Sequence, residues 1–65
     1  MKKYAAYVVL AEELNDREFW AIYEGDLETA TAIFENVSLP TRLELIGTNH
    51  PDDLMDGDVL RAKGF

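Results

Sequence analysis

Near the end of the chain, Asp52, Asp53, Asp56, Gly57 and Asp58 combine the carboxylates and the glycine on which calcium loops are built. With Asp52 at position one of such a loop, Gly57 falls at position six. Position three is then Leu54 and position twelve Lys63, where an oxygen donor and a bidentate Glu are needed. The spacing therefore reads as an acidic turn and not as a cation site. His50 precedes Pro51 in a polar stretch and has no fixed partner that would make it a base or a ligand, and one His with no Cys cannot supply a zinc cage. Ser38 lacks the glycine-flanked elbow of a nucleophile, and no glycine-rich phosphate loop is present. The pairs Glu12-Glu13 and Asp52-Asp53 could do acid–base work only in a closed apolar cleft that raises one pKa. A chain of 65 residues has little material for such a cleft. These residue types point to a protein that is not an enzyme and needs no cofactor or metal.

Charge is the stronger guide. Thirteen carboxylates against six Lys and Arg give a formal charge of −7. Lys2, Lys3, Arg17, Arg42, Arg61 and Lys63 lie scattered among a majority of acids, whereas binding a phosphate backbone needs clustered cations that release counterions. Direct nucleic-acid binding is therefore not expected, and the partner that fits is a protein with a basic surface. The longest uncharged run, Tyr4 to Ala11, is eight residues. That is well below the roughly 20 apolar residues of a membrane-spanning helix, so a soluble, unexported chain is expected. The absence of Cys agrees with a reducing cytosol.

The elements that must carry these residues can be read from apolar spacing. Lys3 to Ala11 is apolar at both parities, with Tyr4, Ala6, Val8 and Leu10 on one side and Ala5, Tyr7, Val9 and Ala11 on the other. This is the pattern of a strand covered on both faces. Asn15-Asp16 suits a tight hairpin turn, and Arg17 to Glu24 reads as the second strand. With those two residues as the turn, Val9 should face Ile22, Ala11 Trp20, Val8 Tyr23 and Leu10 Ala21. Asp26 is placed to cap a helix over Leu27 to Asn36 by accepting the amide of Glu28 or Thr29. Leu27, Ala30, Ile33, Phe34 and Val37 form its apolar stripe. Pro40 prevents its continuation, and Thr41 to Ile46 alternates Leu43 and Leu45 with Arg42 and Glu44, as a half-buried strand does.

The expectation is an α+β domain of ββαβ order. A helical crossover is right-handed and returns the third strand parallel to the second, so the third strand pairs antiparallel with the first and the sheet order is 2-1-3. The whole chain, 1–65, makes one domain, with a ββαβ core over 3–46 and an acidic extension over 47–65. Within the extension, Pro51 to Met55 reads as a short helical turn, and Val59-Leu60 as a further short strand or a fold-back over the open sheet face. One helix covers one face, so the other face presents apolar groups, either the parity of Tyr7 and Trp20 or the opposite set.

Two groups of residues are candidates for partner binding. Glu12, Glu13, Asp16 and Glu18 crowd the hairpin tip, and Glu24, Asp26 and Glu28 follow toward the helix; these acids would steer the chain to a basic surface. Trp20, Tyr7 and Tyr23 are the aromatic groups that would supply contact energy. The alternative partner is a second copy of the chain, docked through the open sheet face.

The stretch from Lys3 through Glu44, with its hairpin, second strand ending Ile22-Tyr23-Glu24, capped helix and returning strand, resembles in layout the small phage inhibitors of bacterial RNA polymerase. In size and charge it is also similar to anti-CRISPR proteins. The chain departs from the polymerase inhibitor in carrying only Arg17 and Arg42 on its strands. The resemblance implies a phage or mobile-element protein acting in the cytoplasm of a bacterial host. There it would inhibit a nucleic-acid-handling enzyme or defence complex by occlusion, through carboxylates that mimic DNA phosphates or as a wedge.

Overall fold

In a computed structural model of the chain, residues 4–13, 19–37 and 41–64 are described, with the backbone alone described for residues 19–24. Strand β1, Ala6–Glu13, carries small and β-branched residues whose side chains alternate between two faces. Val9 and Ala11 are fully buried on one face, and Ala6 and Val8 are buried on the other. Its apolar character at both parities therefore corresponds to cover on both faces over its first half. Strands β2, Phe19–Gly25, and β3, Thr41–Thr48, lie on either side of β1 and run antiparallel to it. A further strand, β4, Val59–Lys63, pairs antiparallel with β3. The sheet order is β2-β1-β3-β4.

The sheet thus has four strands where three were expected. β4 is hard to see in sequence because Arg61 and Lys63 stand where a buried strand would have apolar groups. Both use the Phe34 ring as a platform, with the Arg61 guanidinium carbon 5.0 Å and the Lys63 Nζ 4.9 Å from its centroid. Cation–π attraction and the packing of their methylene stems substitute for aliphatic burial. The helical turn expected at Pro51 to Met55 is absent. Pro51 instead occupies a turn closed by the Asp53 amide donating to the His50 carbonyl at 2.9 Å, a position that its fixed φ suits equally well. A single 3-10 turn follows at Asp56–Asp58.

The helix α1, Leu27–Asn36, forms over the stretch that its apolar spacing marks. Asp26 caps it: Oδ1 accepts the Thr29 amide at 2.8 Å and Oδ2 accepts the Thr29 hydroxyl at 3.1 Å. At the other end the Asn36 side-chain amide donates to the Ala32 carbonyl at 2.8 Å. Ala30 and Phe34 are buried, while Leu27, in the first turn, is 45% exposed, so the buried stripe begins at Ala30. Val9, Ala11, Ala30, Phe34, Leu43 and Leu45 form the core between helix and sheet, with Tyr7, Ile33 and Val37 packed at its margin. At about 25 cal/mol per Å² of apolar area, full burial of Phe34, Leu43 and Leu45 contributes roughly 1.5–3 kcal/mol each.

The hairpin register departs from the expected one. Leu10 faces Ala21 and Ala11 faces Trp20, but Val9 faces Tyr23 and Val8 faces Glu24, with the shift falling between Val9 and Leu10. Ile22 is the extra residue of a β-bulge, and every pair beyond it moves by one. The expected apolar pairing of Val8 with Tyr23 is lost for this reason.

Candidate binding surface

The face opposite the helix is divided. Toward one end Ala6, Val8, Ile46 and Thr48 are buried. Val59 of β4 lies across from Ile46, and the 3-10 turn packs on β3. Thr48 is satisfied there, its hydroxyl accepting the His50 amide at 2.9 Å, and Asn49 Oδ1 accepts the Ala5 amide at 2.9 Å. Toward the other end Leu10, Glu12, Arg42 and Glu44 line a shallow depression of about 140 Å³. Arg42 is the register partner of Glu12 and lies 3.7 Å from a Glu44 oxygen. The side chains of Arg42 and Glu44 remain 41% and 27% exposed, so this is a solvated polar strip and not a desolvated cleft.

The open part of the sheet is therefore the parity of Leu10, Glu12, Arg42 and Glu44. Tyr7, one of the anchors expected to offer contact energy, lies half-buried on the helix side at the edge of the core. It packs edge-on to Tyr4, with centroids 5.7 Å apart. The backbone register places Trp20 beside Ala11, Tyr23 beside Val9 and Glu24 beside Val8. Asp16 and Glu18 lie outside the described residues.

The remaining acids fall into two groups. Glu12 and Glu13 are half-exposed at the last residues of β1, where Glu13 pairs with Thr41. Asp26 and Glu28 are exposed at the start of α1, immediately after Gly25, which pairs with Tyr7 near the other end of β1. Five residues of strand separate Tyr7 from Glu12, a distance of about 17 Å at about 3.3 Å per residue. This exceeds the Debye length of about 8 Å at physiological salt, so the two groups act as separate fields.

Asp26 is held below the usual carboxylate range, chiefly by the Thr29 amide and then by the Thr29 hydroxyl; its ionised form is the capping form. Among the described residues, no three His, Asp or Glu side chains approach closely enough to hold a metal ion. Among the same described residues, no helix is long and apolar enough to cross a membrane. Sequence reasoning missed Arg42 and Glu44 as surface partners of Glu12, although antiparallel pairing of two alternating strands implies a shared face. It also missed the pairing of Arg61 with Glu35, a 3.1 Å contact joining β4 to the helix. No local sequence signal marks that contact.

Fold and surface together define an α+β domain with a polar sheet strip and two acidic ends. Compared with protein-family models, curated proteins and solved structures, the chain matches none of them.

Proposed function

We propose that the chain is a non-enzymatic binding protein that covers a basic surface of a protein partner, as a phage or mobile-element inhibitor of a host nucleic-acid-handling enzyme or defence complex does. One observation carries this reading. Between Arg17 and Arg42 the chain has no Lys, Arg or His, but has Glu18, Glu24, Asp26, Glu28 and Glu35. That span includes all of β2 and α1. This stretch of the chain thus carries only acidic charges, of which Glu35 is paired with Arg61 of β4, and the acidic excess favours rapid encounter with a cationic surface and disfavours nucleic acid itself. The separation of the two acidic groups fits a footprint with two basic contacts better than a continuous imitation of phosphate spacing.

The test is capture of partners from a bacterial lysate by immobilised chain, followed by competition. A partner held through its nucleic-acid-binding surface is released by double-stranded DNA and by salt well above physiological strength. A partner indifferent to both sinks the proposal.

A further inference from the structure

We infer that the free edge of β2 accepts an extended cationic segment of a partner protein as a fifth strand. This rests on the basic-partner reading and names where and in what conformation such a partner would bind.

Among the described residues, the sheet order leaves two edges, β2 and β4. An edge strand presents about half of its backbone N–H and C=O groups to solvent, and proteins commonly protect such edges with Lys, Pro or short length. β4 is protected in this way. It has five residues, carries Arg61 and Lys63, and is followed by Gly64, whose φ of 106° departs from extended strand backbone. β2 has seven residues, Phe19–Gly25, of which Phe19-Trp20-Ala21-Ile22-Tyr23 is an uncharged run of high β propensity with neither Pro nor cation.

Charge selects the occupant. Glu24 lies within β2, Asp26 and Glu28 follow it, and Glu12 and Glu13 end the neighbouring strand, with Glu12 paired to Phe19. A second copy of the chain would bring another formal charge of −7 to this edge. A segment bearing Lys or Arg at alternate positions would gain both backbone pairing and charge complementarity. The bulge at Ile22 adds local twist, so the incoming strand must follow a twisted edge.

The probe is a peptide of about seven alternating Lys and Val residues, matched to β2 in length. Two relatives serve as controls: one with alternate backbone amides N-methylated, and one with Glu in place of Lys. Amide hydrogen exchange followed by NMR should report new protection at residues 19–25 and none at 59–63. The N-methylated peptide should bind at least about tenfold more weakly, because it cannot complete the ladder. The Glu peptide should not bind. Equal affinity for the two cationic peptides, or protection at β4 instead, overturns strand addition while leaving the basic-partner reading intact. Binding by no cationic peptide, or preference for the Glu form, overturns both. Glu24→Lys should weaken the cationic peptide several-fold while Ala62→Lys on β4 leaves it unchanged; the reverse order also contradicts the assignment.

Discussion

The two edges of the sheet are held by different means. β4 contributes little apolar surface of its own and is tied down by its cations: Arg61 and Lys63 lie over Phe34, and Arg61 reaches Glu35 on the helix. β2 has no cation and leads directly into the helix through the Asp26 cap. The cationic edge is occupied by contacts within the domain, while the anionic one is bordered by exposed carboxylates. In a domain near the lower size limit for independent folding, an edge can be secured by core contacts or left available, and the distribution of Lys and Arg distinguishes the two.

Phe34→Ala tests this contrast most severely. It leaves a cavity in the core and removes the platform beneath β4, so a loss of about 3–5 kcal/mol in denaturant unfolding is expected, enough to unfold much of the population. A loss below about 1 kcal/mol would separate β4 from the core. Gly64→Ala comes next. At φ 106° an added Cβ would approach the Thr41 carbonyl oxygen to 2.4 Å, a clash with backbone that cannot be relieved by a rotamer change. A loss of about 1–3 kcal/mol is expected, with faster amide exchange confined to β4 and its β3 neighbours. Exchange spreading equally to β2 would contradict the independence of the edges.

On the other side, Asp26→Ala should lower the melting temperature at neutral pH by removing the cap. The sign of its pH dependence follows from the lowered native pKa. The ionised carboxylate stabilises the fold above its unfolded pKa, and that contribution is lost as the pH falls through the lower native value. The difference between parent and variant should therefore shrink in acid; a gap constant down to strongly acidic pH would remove the capping explanation. The smallest effect is expected for Arg61→Gln. It breaks an ion pair between side chains more than half exposed and removes one of the two cations over Phe34, a combined loss of about 1 kcal/mol or less, of which raised salt should diminish the ion-pair part.

Much of the fold is legible in sequence because it depends on short-range rules. The helix over Leu27–Asn36, its Asp26 cap and the alternation of Leu43 and Leu45 follow from spacing and local hydrogen bonding. The bulge at Ile22 is not legible, since an extra residue in one strand leaves the apolar pattern almost unchanged while moving Tyr23 and Glu24 by one position. β4 was legible only at Val59-Leu60, as one of two readings; its extent to Lys63 was not, because aromatic–cation packing stores its burial in residues that composition counts as polar. The acids were legible as residues but not as a surface. Glu12 acquires Arg42 as a neighbour only through the long-range pairing of β1 with β3, and parts from Asp26 and Glu28 through the pairing of β1 with β2, which sets Gly25 beside Tyr7. Tyr7 could be placed under the helix only once the sheet face that the helix covers was known.

The most direct test compares the position of charge at constant net charge. Glu24→Lys with Glu28→Lys, and separately Asp52→Lys with Asp53→Lys, each change the formal charge from −7 by +4, to −3. Binding of the alternating Lys and Val peptide to both folded double variants would be measured by titration at physiological salt. If the β2 and helix side forms the docking surface, the first variant should lose at least about tenfold in affinity and the second should stay within about twofold. Equal losses would mean that net charge alone governs binding and that no acidic surface has been located.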